Sequence, residues 1–189
     1  MSQLPIHTVD TAPHESRQAL EKARANFGFL PNLLGKLANA PAALDAYLAI
    51  SAAFNRTSLN LLERQVVLLT TSVVNRCPYC VAAHSLIAMS AGADAAVVDA
   101  LRAGREVADE RLEALRRYTE HLVIGRGQTD SHETQRFLEA GFGSAQIYEV
   151  ITGITQKTLS NYADHVDLIP LDAPFQSHAW SPEQLAVAK

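Results

Sequence analysis

The sequence predicts an all-α protein, a single helical bundle over residues 1–189, and three features point that way. Apolar residues recur at three- and four-residue spacing, in segments bracketed by Gly, Pro, Ser or Asp. The segment "SLNLLERQVVLLTTSVVN" (58–75) is rich in valine, which favours strand, yet it is longer than a usual strand. The stretch after Cys80 holds no alternating strand run.

Taken in order, "PHESRQALEKARANFG" (13–28) begins with Pro13 and an acidic residue and stops at Gly28, as a helix does. "FLPNLLGKLANAP" (29–41) is turn-rich, with one or two helical turns. In "PAALDAYLAISAAFNR" (41–56) Pro41 suits a first turn. Residues 58–75 read as a buried helix with Ser58 available as its N-cap. "CPYCVAAHSLIAMSAG" (77–92) reads as the next helix, with Pro78 in its first turn and Gly92 past its last. Four more helices follow, "DAAVVDALRAG", "DERLEALRRYTEHLVIGRG", "SHETQRFLEAG" and "GSAQIYEVITGITQKTLSNYADHV". Residues 168–189 carry three prolines and read as an extended C-terminal arm. The arm keeps Ile169, Leu171, Phe175 and Trp180, an apolar set that soluble monomers avoid exposing, so the arm either folds back over its own bundle or contributes to contact with a second copy of the chain.

Composition narrows the function classes. With 48% hydrophobic and 19% charged residues the chain is ordinary globular protein. A net charge of −4 offers no basic patch for nucleic acid. The N-terminal stretch lacks the pattern of a secretory signal, and the longest apolar run is too short and interrupted to span a bilayer. The expectation is therefore a cytoplasmic protein that binds neither nucleic acid nor membrane. In that compartment a close pair of cysteines is redox-active or half of a metal site more often than a structural staple.

The only two cysteines lie in "NRCPYCVAAHS" (75–85) as a CxxC pair, with His84 four residues beyond the second. On a helix Cys77, Cys80 and His84 fall within a sector of roughly 60°. A helix N-terminus favours the thiolate. Thiolate, second thiol and proton carrier on one patch are what peroxide reduction needs. Neither a second CxxC nor an HxxxH pair completes a zinc site, so no metal and no cofactor are expected. C-P-Y-C also occurs in glutaredoxins, but the strands of that fold are missing from the pattern.

The wider segment "LNLLERQVVLLTTSVVNRCPYCVAAHS" resembles the core of the AhpD-like alkylhydroperoxidases within the carboxymuconolactone decarboxylase family. "FGFLPNLL", "FLEAGFGSAQIYEVI" and "TLSNYADH" look like the longer, peroxidase-related members, so the resemblance covers about residues 27–170. It implies an AhpD-like helical bundle, a homo-oligomer, and peroxidase activity on a hydroperoxide substrate, fed by an external dithiol or disulfide reductant. By the same resemblance Cys80 is the attacking sulfur, with His84 in the proton path, and Cys77 is its disulfide partner and the more exposed of the two. Two positions depart from the family pattern. Gln65 stands where a glutamate is usual, and Tyr79 stands between the cysteines where a histidine is usual. Glu63, nearer the N-terminus of the same helix, is the candidate to replace that glutamate. Decarboxylase or lactone chemistry of the same superfamily, or a non-catalytic redox-sensing role, are the alternatives.

Overall fold

The computed structural model describes residues 4–188, so residues 1–3 and 189 of the predicted domain lie outside the described residues. Among the described residues nine α-helices follow one another: α1 (His14–Phe27), α2 (Asn32–Leu37), α3 (Pro41–Phe54), α4 (Leu61–Val74), α5 (Pro78–Ser90), α6 (Ala95–Arg102), α7 (Glu110–Ile124), α8 (Ser131–Glu139) and α9 (Ser144–Val166). Two 3-10 turns, Ala173–His178 and Pro182–Ala188, end the described chain. No strand occurs among the described residues. The fold is the expected all-α bundle.

α4 is the axis of the bundle, with α5, α6, α7 and α9 packed around it. Its residues from Gln65 to Val73 are all buried, so the valines that favour strand are satisfied by being covered on every side. The helix starts at Asn60, not at Ser58. The Asn60 side chain accepts from the Glu63 N–H at 2.9 Å, and the Glu63 carboxylate accepts from the Asn60 N–H at 2.8 Å, which completes a capping box. The Ser58 hydroxyl instead donates to Glu149 of α9 at 2.8 Å.

The bundle holds two apolar cores, and α5 is the wall between them. Val81 and Ala88 face the core of Val66, Leu69, Leu115, Phe137 and Trp180. Cys77, Cys80 and Ala82 face the core of Leu20, Leu34, Leu44, Ile169 and Phe175. α9 lies close against α3 and α4 because Gly153 has no side chain there. A Cβ at that position would come within 2.7 Å of the Phe54 ring and 2.8 Å of Val67.

Of the two readings of the arm, folding back over its own bundle is the one seen. Ile169, Phe175 and Trp180 are buried against their own bundle. The Trp180 indole N–H donates to the Arg102 carbonyl, and Arg102 donates to the carbonyls of His178 and Ala179, each at 2.9 Å. An extended stretch with unpaired backbone groups is stabilised here by borrowed partners as well as by burial.

The turn from α4 into α5 bears directly on the cysteines. Arg76 adopts the left-handed conformation (φ 55°), its N–H donates to the Val73 carbonyl, and the Cys77 N–H donates to Ser72, each at 3.0 Å. This is a Schellman stop with arginine in the place glycine usually takes. A left-handed L-residue costs about 1–2 kcal/mol, against about 0.5–1 kcal/mol for glycine's extra freedom when unfolded. Arg76 is exposed. Arg76→Gly should therefore raise unfolding stability by about 0.5–1 kcal/mol in urea titration, and a loss of stability would show that the arginine side chain supports the turn.

Candidate functional site

The start of α5 is organised by the CxxC pair itself. Cys77 is the N-cap, Pro78 follows in the first turn, and the Cys80 N–H donates to Cys77 Sγ at 3.4 Å. Cys77 Sγ in turn lies 3.3 Å from Asp164 Oδ2 of α9, to which its thiol donates. The other oxygen of Asp164 accepts from the Ile169 N–H at 2.9 Å, where the arm begins. Cys80 Sγ lies 3.7 Å from the Ser160 hydroxyl. Both cysteines are reduced and buried.

One turn further along α5, His84 bridges two helices. Its Nδ1 lies 3.0 Å from Gln65 Oε1 of α4, and its Nε2 lies 3.0 Å from Lys157 Nζ of α9. An ammonium can only donate, so Nε2 accepts and the imidazole carries its proton on Nδ1, facing the amide oxygen. Burial and the neighbouring Lys157 charge push the His84 pKa well below its ordinary value, which keeps the ring neutral.

The two cysteines differ in charge. Burial alone would raise the Cys80 thiol. The hydrogen bond with Cys77, the Lys157 ammonium and the Ser160 hydroxyl outweigh it and bring Cys80 down to about 6. Cys77 moves the opposite way, through its hydrogen bond with Cys80, burial, and the charges of Cys80 and Asp164. Lys157 would lose its proton more readily from burial, but Cys80, Tyr47 and Cys77 raise it overall. Both shifts favour the thiolate on Cys80 and the thiol on Cys77.

A cavity of about 280 Å³ reaches this point. Asn26, Phe27, Ala52 and Asn55 are exposed at its rim, while Leu34, Tyr47, Ile87 and Phe175 form much of an apolar wall. Cys80, His84 and Lys157 lie on the lining, and Cys77 does not. Tyr79 ties the wall to the arm: its hydroxyl donates to Asp172 at 2.6 Å and accepts from the Leu33 N–H at 3.3 Å. Asp172 also accepts from the Asn32 N–H at 3.1 Å. Among the described residues no cluster of His, Cys, Asp and Glu is arranged to hold a metal.

Residues 38–121 match the carboxymuconolactone decarboxylase family. The AhpD core structure of an uncharacterised peroxidase-related protein from Ralstonia eutropha JMP134 superposes with a TM-score of 0.81 at 21% identity, over 92% of this chain and 93% of its own. The chain has the AhpD-like fold and carries a carboxymuconolactone decarboxylase family match over residues 38–121. An uncharacterised peroxidase-related protein from Silicibacter sp. TM1040 superposes with a TM-score of 0.77 at 19% identity, over 91% of each chain. The debrominase Bmp8, with 2,3,4-tribromopyrrole bound to a cysteine-to-alanine variant, gives 0.75 at 14% identity, over 98% of this chain and 96% of its own. At such identities the likeness is one of fold. No curated protein matches the chain.

Cys77 and Cys80 meet at the start of α5, Cys80 and His84 line the same cavity, and Gln65 reaches His84 from α4. Two expectations are corrected. Cys77 is not the more exposed cysteine, because Asp164 and the start of the arm enclose it. Glu63 is not in the site. Two residues from Gln65, it points about 200° around α4. Its second carboxylate oxygen accepts from Arg111 of α7 at 2.9 Å. The pattern Asn60-x-x-Glu63 is a capping-box signature, and it was the available signal for that role. Lys157 went unnoticed in the sequence. Its only trace is the polar line Gly153, Lys157, Ser160 and Asp164 along one face of α9.

Glu63→Gln should lower stability by about 1–2 kcal/mol, the scale of a cap and a charged hydrogen bond, and leave the chemistry of Cys80 unchanged. A loss of thiol reactivity at unchanged stability would return Glu63 to the site. The charge assignment has its own check. Ultraviolet thiolate absorbance of the reduced protein should show one thiol ionising near pH 6, lost as pH falls below that point, with the other protonated through neutral pH. Two thiols ionising together near their ordinary value would contradict it.

Proposed function

We propose that the protein is a thiol-dependent peroxidase that reduces organic hydroperoxides through a Cys77–Cys80 disulfide cycle. The observation that carries this reading is the opening of the cavity on Cys80, the thiolate of the pair, with the Cys77 thiol held behind it. Cys80 sulfur attacks the terminal oxygen of R–O–O–H, the O–O bond breaks, and the departing alkoxide takes a proton to become R–OH. Cys80 is then a sulfenic acid. Cys77 sulfur displaces its oxygen, which leaves as water, and the disulfide forms. An external dithiol reduces that disulfide and is itself oxidised, restoring the pair.

The cavity favours an organic substrate. Hydrogen peroxide is not much larger than water, whose share of liquid volume is about 30 Å³, whereas the apolar wall here surrounds far more space. Burial of both cysteines supports a reductant that works through small dithiols or through opening of the arm. Among the described residues no helix is long and apolar enough to cross a membrane, which is consistent with a cytoplasmic enzyme. Tyr148, Tyr162 and Val166 are exposed on α9, and that face supports a homo-oligomer.

A second reading is reductive removal of halogen from a small aromatic ring. Phe27, Tyr47, Tyr79 and Phe175 give the cavity aromatic walls, and the fold is shared with a debrominase. There Cys80 takes the halogen from carbon, the carbanion is protonated, and Cys77 displaces halide as the disulfide closes. One assay separates the two. With a dithiol as reductant, the wild-type protein should convert an organic hydroperoxide to its alcohol catalytically. Cys80→Ser should abolish this, and Cys77→Ser should stop after a single oxidation. Halide release from a bromopyrrole without alcohol formation from hydroperoxide would replace the first reading by the second.

A further inference from the structure

We infer that Lys157 is a catalytic residue of this site: its ammonium holds Cys80 as the thiolate and then delivers the proton to the departing alkoxide, while His84 is a neutral positioning residue that aims it. The delivery step rests on the peroxidase reading above; the holding step does not.

Charge balance is the first ground. Lys157 is 1% exposed, and among the described residues it makes no ion pair with a carboxylate. A buried ammonium needs a counter-charge. The groups that face it are Tyr47 from α3, Cys77, Cys80 and His84 from α5, with Asp164 on its own helix beyond Cys77. Asp164 is occupied by the Cys77 thiol and the Ile169 N–H. Tyr79 and Asp172 bond to each other and to α2. Cys80 and Tyr47 share the cavity lining with Lys157, and a thiol ionises more readily than a phenol, so Cys80 is the group to supply the negative charge.

Proton inventory is the second ground. The family position that carries a glutamate holds Gln65, an amide with no proton to exchange. Glu63 faces α7. Both ring nitrogens of His84 are committed, one donating to Gln65 and one accepting from Lys157, so the ring has no free position for a relay. Lys157 reaches the cavity lining together with Cys80, which leaves it as the acid at the point of attack.

The step balances. R–O–O–H, Cys80 thiolate and Lys157 ammonium become R–OH, Cys80 sulfenic acid and neutral Lys157. Cys77 thiol and the sulfenic acid then give disulfide and water. When the external dithiol reduces the disulfide, one of its protons restores the Cys77 thiol and the other recharges Lys157.

Two variants test the two roles. In reduced protein without any peroxide, Lys157→Met should remove the acidic thiolate step, so that the thiolate absorbance at pH 7 falls about thirtyfold. Lys157→Gln, which still donates to His84, should do the same and serves if the methionine variant does not fold. Persistence of the step near pH 6 in a folded neutral variant would overturn the holding role, whatever the substrate. Lys157→Arg keeps the charge but does not release a proton. It should retain the acidic step while hydroperoxide turnover falls about 10²-fold, the usual scale of acid catalysis. Full turnover in Lys157→Arg would overturn the delivery role. Absence of turnover in the wild-type protein would overturn the peroxidase reading and the delivery role with it, and the titration would still decide the holding role.

Discussion

An ammonium group taken out of water costs several kcal/mol unless charge and hydrogen bonds are returned to it. Lys157 is in that position, enclosed by α3, α4, α5 and α9, and the polar residues around it form one connected answer. The amide of Gln65 orients His84, His84 accepts from the ammonium, and Cys80 faces it as the anion. The same charge separates the two cysteines, since whatever favours a thiolate on Cys80 leaves the proton on Cys77. Asp164 reinforces the division by accepting from the Cys77 thiol.

The packing serves this cluster at each edge. Gly153 lets α9 approach Phe54 and Val67, which brings the next turn, with Lys157, into the wall beside α5. The Schellman turn at Arg76 sets the direction in which Cys77 begins α5. The arm closes the far side, with Phe175 edge-on to the Tyr79 ring at 5.7 Å between centroids. Such a site is apolar along its wall and polar at its depth, and charges attract each other more strongly there than in water.

The cysteine pair and the histidine of this chain are surrounded by an amide and a cation. An amide takes the carboxylate position, and a cation arrives from a different helix. A carboxylate at position 65 would add a second negative charge beside the Cys80 thiolate and oppose it. An amide orients the imidazole without that penalty. Gln65 and Lys157 therefore act on one charge distribution, through the two nitrogens of His84.

Helices, their stops and the cysteine pair were legible in the sequence, because each is written in residues a few positions apart. Apolar spacing marked the helices other than the short α2, the glycines at 28 and 92 marked two ends, and CxxC with His84 lay on one face of one helix. The direction of Glu63 was also local, in the Asn60-x-x-Glu63 box, and was outweighed by its nearness to Gln65. What only the tertiary structure decided were contacts between distant residues. Gln65 and His84 are 19 positions apart, and His84 and Lys157 are 73. The arm looked like a free apolar segment until the bundle supplied the surface it covers. Periodicity tells which face of a helix is buried, but the partner on that face is set by how helices pack, and a charge acquires its chemistry only from that partner.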